Sequence, residues 1–311
     1  MDGKQLQTQY KEHLSDFNNW NQKEHAEDFI LYPKNIGYHL CIDETALSKG
    51  ELYTILTNRD KHGRKGTIVA IVKGTKAEDV INVLLKIDAD KRNQVKEITL
   101  DMAGSMQKIA KRCFPGAMQV VDRFHVSKLV YEAVQDLRIA YRWQVMKDEN
   151  RKIKEAKAKG ESYEPKVFGN GDTLRQLLAR SRYLLVKAPD KWLQSQKVRA
   201  KLLFEQFPDI KSVYYYALRL GKIFSDYTDK DVARAKLALW YNEIEEFGYD
   251  TFTTVANSIE NHYERILNYF VNRSTNAAAE AFNAKIKAFR ASFRGVVDKR
   301  FFLYRLAKVY A

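Results

Sequence analysis

The sequence predicts an α/β protein in which a mixed five-stranded sheet with flanking helices is followed by a long helical region. Two observations support this prediction. Apolar runs of strand length, rich in Val, Ile and Thr, occur between positions 38 and 122, and helix-type periodicity replaces them from about position 124 to 270. The length of 311 residues and the hydrophobic content of 45% are sufficient for one or two domains with a substantial core.

Residues 1–37 are predicted to form a polar, partly helical N-terminal lead-in. Apolar residues recur at helical spacing from Leu6 to Phe17, and Pro33 ends the pattern. We therefore expect the sheet to begin after this segment.

The predicted strands alternate with turns and helices in a way that fixes their pairing. A polar turn at 58–63 separates the second and third strands, so the first three strands can form an antiparallel meander. Helical patterns at 77–87 and 103–113 separate the later strands, which must therefore cross over and pair in parallel. The five strands are predicted at 38–43, 51–57, 66–72, 96–101 and 117–121.

Composition narrows the class of protein. The two cysteines, Cys41 and Cys113, form neither a disulfide framework nor a Cys-x-x-Cys zinc pair, so we expect buried thiols. No apolar run reaches the roughly 20 residues that span a bilayer. The first residues also lack the apolar core of a secretory signal. We therefore expect a cytoplasmic protein with no membrane partner.

Positive charge is concentrated in two regions. The chain carries 53 Lys and Arg against 39 Asp and Glu, a formal net charge of +14. Positions 128–201 hold 18 basic and 9 acidic side chains, and positions 271–311 hold 9 and 2, whereas positions 202–270 hold 7 and 11. Localised positive patches are typical of a polyanion-binding surface. Nucleic acid is therefore the predicted partner, and a basic protein that binds no polyanion is the alternative.

Three carboxylates are candidate metal ligands. Asp43 closes the first predicted strand, Asp101 closes the fourth, and Glu280 lies in a late helix-type segment. If the two strands are neighbours, both aspartates lie at strand carboxyl ends, where open sheets place ligands. Carboxylates are the hard oxygen ligands that Mg²⁺ prefers, and paired ions of this kind catalyse phosphoryl transfer on nucleic acid.

The segment around Glu280 is predicted to be an amphipathic helix. Lys287 lies two turns after Glu280, so its amine is a candidate phosphate contact beside the metal site. The polar stripe of this helix consists of Asn276, Glu280, Asn283 and Lys287, and the apolar stripe of Phe282, Ile286 and Phe289.

Each acid also has an ordinary structural role open to it. Asp43 would cap a turn, and Asp101 would N-cap a helix that starts at Met102. Glu280 would be a solvated helix residue. Taken one at a time, these alternatives stay open.

The polar residues Asp122 and His125 follow the fifth predicted strand. Both side chains are expected to reach the same edge of the sheet, where His125 would orient a carboxylate or contact DNA. A satisfied histidine at a helix start is the alternative. Turn and surface roles explain Glu44, Asp60 and His62.

With these residues in place, the chain resembles the DDE transposases of bacterial insertion sequences, in particular the ISL-three type. The matching segments run in the family's order over about residues 36–311. They are Leu40-Cys-Ile-Asp-Glu44, Leu100-Asp-Met-Ala-Gly-Ser-Met106, Val121-Asp-Arg-Phe-His-Val126 and Ser274-Thr-Asn-Ala-Ala-Ala-Glu-Ala-Phe-Asn-Ala-Lys-Ile-Lys287.

The resemblance implies a ribonuclease-H-like catalytic core formed by residues 38–123 and 271–311. A large all-helical insertion, residues 124–270, would precede the last acid-bearing helix. The family's catalytic and metal-binding triad then corresponds to Asp43, Asp101 and Glu280, which would hold two Mg²⁺ ions that Mn²⁺ can replace. Asp122 and His125 match the supporting Asp-x-x-His element. The implied DNA contacts are Asn283, Lys287, Arg290, Arg294 and Arg300.

The implied function is metal-dependent strand cleavage at insertion-sequence ends, followed by strand transfer into target DNA. A homodimer or larger synaptic complex would perform it in the bacterial cytoplasm, at the nucleoid. Full-length relatives carry an N-terminal zinc ribbon and helix-turn-helix region, whereas only about 40 residues precede Asp43 here. We therefore expect a separately encoded protein, or a frameshift product, to recognise the element ends. The alternatives are a ribonuclease-H-like nuclease without joining activity and a catalytically silent DNA-binding relic.

Overall fold

The computed structural model describes residues 3–48, 50–248, 250–293 and 295–311 and divides the chain into two compact units. Unit 1 consists of Met1–Asp122 and Glu264–Ala311, and unit 2 of Arg123–Tyr263. All the named strands belong to unit 1, and the regular elements of unit 2 are helical within the described residues.

Unit 1 is built on a mixed sheet of six strands. The strands are β1 (Phe29–Leu31), β2 (His39–Ser48), β3 (Glu51–Asn58), β4 (Ile68–Lys73), β5 (Glu97–Leu100) and β6 (Met118–Val121). Their order in the sheet is β1-β4-β3-β2-β5-β6. Antiparallel pairing joins β1 to β4, β4 to β3 and β3 to β2, and parallel pairing joins β2 to β5 and β5 to β6. The expected antiparallel meander followed by parallel crossovers is confirmed.

The expectation of five strands was wrong by one. Strand β1 lies in the N-terminal segment that was predicted to be a polar lead-in, and its Ile30 is fully buried opposite Ile71 of β4. Three residues are too short to display the alternation by which a strand is detected, so only the pairing with β4 defines it. The helical part of the lead-in runs from Gly3 to Gln9, followed by a π-helical turn at Tyr10–Leu14.

The helices follow the chain from one end to the other. They are α1 (Gly3–Gln9), α2 (Ala77–Leu84), α3 (Ala89–Asn93), α4 (Gly104–Cys113), α5 (Arg123–Ala158), α6 (Leu174–Arg180), α7 (Gln194–Gln206), α8 (Pro208–Asp226), α9 (Lys230–Phe247), α10 (Asp250–Asn261), α11 (Tyr263–Leu267), α12 (Tyr269–Asn272), α13 (Ala277–Ser292) and α14 (Lys299–Tyr310).

The last two helices complete the core of unit 1. Phe282 and Ile286 of α13 and Leu306 of α14 are buried in one apolar cluster with Ile55 of β3 and Ile68 of β4. These side chains lie on one face of each helix because apolar residues three to four positions apart share a face. This packing fixes the side of α13 that faces the sheet and leaves its polar stripe for other contacts.

Unit 2 contains the longest helix of the described chain, the 36-residue α5. A capping box at Thr173 starts α6, and the Asp229 side chain caps α9. The fully buried Asp172 pairs with Arg180 and Arg199, and these ion pairs lower its pKa although burial alone would raise it. Across the described ranges, every helix is too short or too polar to cross a membrane.

Candidate active site

Asp43 lies on β2, and Asp101 directly follows β5, the parallel neighbour of β2. Asp43 is the fifth of the ten residues of β2, so the prediction that it closes this strand was wrong. Strands β2 and β5 are parallel, with Cys41 opposite Thr99. Continuing this register by two residues brings Asp43 opposite Asp101, which directly follows β5. The condition set from the sequence, that the two acid-bearing strands are neighbours, is therefore met.

A third carboxylate, that of Glu44, is close to this pair. Burial raises the pKa of Glu44, and the negative charges of Asp101 and Asp43 raise it further. Glu44 is half-buried, and its proximity to both aspartates is a feature that the expected surface role did not include. The neighbourhood of the two aspartates consequently has an excess of negative charge.

Hydrogen bonds orient both aspartates. Asp43 accepts through Oδ1 from the Glu44 N–H at 2.8 Å and through Oδ2 from Nδ2 of Asn283 at 2.6 Å. Asp101 accepts through Oδ1 from the Ala103 N–H at 2.7 Å. This bond closes a turn just before α4, a role close to the helix capping that the sequence left open for Asp101. The Oδ2 atom of Asp101 remains for another ligand.

Helix α13 brings Glu280 towards the aspartates. Glu280 lies in the first turn of α13, one turn before Asn283, whose amide contacts Asp43. The Glu280 side chain is exposed, and no hydrogen bond or ion pair with the described residues engages its carboxylate. Glu280 is therefore one helical turn from Asn283, which contacts Asp43, and its carboxylate is available for a ligand.

A buried polar network anchors the start of α13. The backbone N–H of Asn276 donates to Oδ2 of Asp122 at 3.1 Å. The side-chain Oδ1 of Asn276 accepts a hydrogen bond from the Cys41 thiol at 3.1 Å. Asp122 and Asn276 are 2% and 1% exposed, so these bonds are shielded from water. Burial, and then the charges of Asp43 and Asp122, raise the pKa of Cys41, which agrees with the expected buried thiol.

The chain leading into α13 is tied to the sheet by residues that the sequence analysis did not select. Nδ2 of Asn268 donates to the carbonyl of Gln119 at 2.9 Å, and Nδ2 of Asn272 donates to Oε2 of Glu97 at 2.9 Å. Glu97 is 1% exposed and forms an ion pair with Arg59 at 2.7 Å. No motif in the sequence marks these asparagines, because their partners lie about 150 to 175 positions away.

The predicted triad does not form a ready-made metal centre. In residues 3–48, 50–248, 250–293 and 295–311, no group of three or more His, Cys, Asp and Glu side chains is arranged to hold a metal ion. The structure brings Asp43 and Asp101 together and connects the helix of Glu280 to Asp43 through Asn283.

The remaining site candidates differ in their surroundings. Lys287 is exposed, and within the described chain its amine forms no ion pair. Arg290 donates to the carbonyls of Ala46 and Leu47 at 3.4 and 3.3 Å. Arg300 pairs with Glu27 at 3.1 Å.

The last two candidates are Arg294 and His125. Arg294 is outside the described residues. His125 belongs to α5 of unit 2, where its half-buried ring has an edge contact with Phe124 at a centroid distance of 5.5 Å.

The fold and the site together define an α/β protein with acidic side chains on β2 and directly after β5, two neighbouring parallel strands of a mixed sheet. Open sheets with crossover connections bind their ligands towards the carboxyl ends of such strands. The chain belongs to the ISL-three type of DDE transposases: residues 40–306 match the model of this family, which is described as a transposase. No curated protein matches the chain.

Proposed function

We propose that this transposase cleaves DNA at the ends of an insertion sequence and joins the freed 3′-hydroxyl to target DNA. In the first step water displaces the 3′-oxygen of the element end from its phosphate. In the second step that 3′-hydroxyl attacks a target phosphodiester, and the target's own 3′-oxygen leaves. The observation that carries the proposal is the parallel register that brings Asp43 opposite Asp101 in a chain of this family.

The core is proposed to be ribonuclease-H-like. Three antiparallel strands followed by two parallel ones, with Asp43 on a central strand and Asp101 after its parallel neighbour, support this assignment. The interruption of unit 1 by a helical unit before α13 also supports it.

The acidic residues present suit a hard divalent cation. Burial and the two neighbouring aspartates raise the pKa of Glu44, so this part of the sheet holds negative charge that a cation would neutralise. The side chains of the proposed ligands offer carboxylate oxygens, which Mg²⁺ and Mn²⁺ accept. Asp43, Asp101 and Glu280 are the proposed ligands. Two bound ions would stabilise the charge that develops on the phosphodiester oxygens.

The other residues of the site orient the acids and the DNA. Asn283 holds Oδ2 of Asp43 in place, and Asp122 holds the start of the helix that carries Glu280. The exposed amine of Lys287, two turns along the same helix, would bind a phosphate next to the acids. The basic regions would bind the DNA backbone without reading its sequence.

A cleavage and strand-transfer assay tests the proposal. The substrate is plasmid DNA carrying the element ends, with Mg²⁺ or Mn²⁺, and the proteins are wild type and Asp101→Asn. Asp79→Asn, which changes an exposed aspartate of α2, is the matched control. We expect joined products from wild type and Asp79→Asn, and none from Asp101→Asn, which should still bind DNA because negative charge near the phosphates falls.

The same assay separates the alternatives. Cleavage without joined product would indicate a nuclease. Metal-independent DNA binding by folded protein with no cleavage would indicate a DNA-binding relic. Because transposition joins two ends, we propose a dimer or larger complex with DNA, which sedimentation of the protein with end-carrying DNA measures. Adding a zinc-ribbon and helix-turn-helix protein encoded beside the chain tests whether end recognition lies elsewhere.

A further inference from the structure

A concave site lies at the start of β2, the strand that carries Asp43. It is a cavity of about 410 Å³ where β2 begins and β3 ends, and Tyr38, Asn58 and Lys61 are among the residues that line it. Strand β2 runs from this cavity towards Asp43. A ligand here would therefore be bound at a different position along β2 from Asp43.

The cavity is positively charged. Lys34, Lys61 and Lys65 line it, and none of the three forms an ion pair with the described residues. Among the described residues, the only acidic side chain lining it is Asp60, which accepts a hydrogen bond from Nδ1 of His39 at 2.9 Å. Three ammonium groups around a concave surface attract a polyanion and suit phosphate groups.

The side chain of Tyr38 adds an exposed aromatic ring to the lining of the cavity. Tyr38 is 53% exposed, and Nζ of Lys96 lies 4.8 Å from the centre of its ring. Aromatic rings in basic grooves stack on the faces of unpaired bases in single-stranded nucleic acid. In a duplex the neighbouring base pairs cover those faces, so Tyr38 favours a nucleotide that is not base-paired.

The walls of the cavity are fixed by side-chain hydrogen bonds and glycines. Nδ2 of Asn58 donates to the carbonyl of Asn35 at 2.8 Å, and Oδ1 of Asn58 accepts from the Asp60 N–H at 3.0 Å. A Cβ atom at Gly37 would lie 2.6 Å from the Asn58 amide, so only glycine fits there. Gly66 has a φ of +86°, a left-handed backbone conformation that glycine adopts without strain. The site is therefore formed before a ligand arrives.

We propose that this cavity binds an unpaired nucleotide of single-stranded DNA, with the base stacked on Tyr38 and the adjoining phosphates bound by Lys34, Lys61 and Lys65. A volume of about 410 Å³ lies within the range of small-ligand sites. The proposal rests on the proposed function only in taking DNA as the polymer, since binding here does not require cleavage at the acids.

Fluorescence anisotropy with the full chain in EDTA tests the role of the ring. The probes are a labelled single-stranded oligonucleotide, the same oligonucleotide with abasic sites, and the duplex of the same sequence. Tyr38→Leu is expected to weaken single-strand binding by about 5- to 150-fold, whereas Tyr38→Phe retains it. Affinities for the duplex and the abasic strand should not change. Unchanged single-strand affinity in Tyr38→Leu would overturn the proposal.

A second pair of variants tests the lysines. The double variant Lys61→Gln, Lys65→Gln should reduce the slope of log affinity against log salt by up to about 1.4, or 0.7 per phosphate contact. Lys76→Gln, Lys111→Gln is the matched control, because both lysines are exposed, the first just before α2 and the second in α4, and form no ion pair among the described residues. An equal reduction of the slope in the control variant would mean that only net charge matters, and it would overturn the proposed binding site.

Two further measurements separate DNA binding at this cavity from unfolding and from free-nucleotide binding. Thermal melting of each variant checks that the chain is folded, and a nucleoside monophosphate is added as competitor. Displacement of the oligonucleotide by the monophosphate at equal concentration would assign the cavity to free nucleotides and overturn the assignment to DNA. Loss of cleavage in Asp101→Asn with single-strand binding intact would separate this site from the catalytic one.

Discussion

The amide of Asn283 is the contact that joins the acid-bearing helix to an acid-bearing strand. It donates to Oδ2 of Asp43 at 2.6 Å and so fixes one candidate ligand. Asn283→Ala is expected to lower the rate of metal-dependent cleavage by about 10- to 100-fold, the usual effect of removing a group that orients a metal ligand. Asn93→Ala on α3 is an exposed control that should retain the wild-type rate. Equal rates for the two variants would remove Asn283 from the mechanism.

Glu97 is the buried acid with a structural role. Burial acts to raise its pKa, but hydrogen bonds from Asn272 and Ser274 and the Arg59 charge lower it overall. A carboxylate whose pKa is lowered on folding stabilises the protein above its unfolded pKa of about 4.3, and this contribution is lost as the pH falls through the lower, folded value.

Glu97→Gln should therefore destabilise the protein by about 3 kcal/mol at pH 7, because Arg59 loses its buried partner. The difference from wild type should shrink as the pH falls below about 4. Urea unfolding at several pH values measures it. Glu78→Gln removes an exposed partner of Lys108 and should leave the free energy of unfolding close to that of wild type. A pH-independent difference for Glu97→Gln would contradict the assigned ionisation.

At the level of residues, the sequence identified the two acid-bearing strands better than the partners of side chains. Asp43 and Asp101 stand out because each follows a short apolar run, and a strand's period is a local property. The proximity of Glu44 to Asp101 could not be read from the sequence, because Asp101 follows a different strand. The contact of Cys41 with Asn276 joins residues 235 positions apart, and no local pattern encodes such a contact.

Helix α13 is held to the sheet near both ends. Asp122, after β6, accepts the Asn276 N–H at its start, and Arg290 donates to two carbonyls near the end of β2. Asn283 contacts Asp43 between these points. The helix therefore has a defined position along β2, and a change at either anchor should displace Glu280.

Substitution of Asp122 distinguishes a positioning residue from a metal ligand. Asp122→Ala leaves the buried Asn276 N–H without an acceptor, which costs about 1–3 kcal/mol, and should reduce cleavage. Asp122→Asn keeps an oxygen that can accept this hydrogen bond, so it should restore both the melting temperature and most of the activity. Loss of activity in a stable Asp122→Asn variant would instead assign the carboxylate to metal binding.

Helices and strands with a clear apolar periodicity were predictable from the sequence, and the short ones were not. The apolar stripe of α13 was expected, and Phe282 and Ile286 are buried as predicted. Asn276 was assigned to the polar stripe of the same helix but is 1% exposed, because Asp122 and Cys41 bind it. Strand β1 escaped detection because its three residues depend on β4 for their conformation.

Over the whole molecule, positive charge is concentrated in particular regions of the sequence rather than on one helix or strand. The exposed half of α5 near its C-terminal end carries Lys152, Lys154 and Lys157, with no ion pair to the described residues. Positions 202–270, in contrast, hold 11 acidic and 7 basic side chains. This contrast was readable from the sequence, since charge is a property of composition, and it predicts where the DNA backbone is bound.

Neutralising three lysines in each region tests this distribution. The triple variant Lys152→Gln, Lys154→Gln, Lys157→Gln should weaken duplex binding and reduce the slope of log affinity against log salt by up to about 2.7, or 0.9 per phosphate contact. The control Lys211→Gln, Lys222→Gln, Lys236→Gln removes the same charge from the acidic region and should leave the slope unchanged. Anisotropy titrations at several salt concentrations measure both slopes. Equal reductions of the two slopes would mean that DNA binding depends on the net charge of +14 rather than on one particular surface.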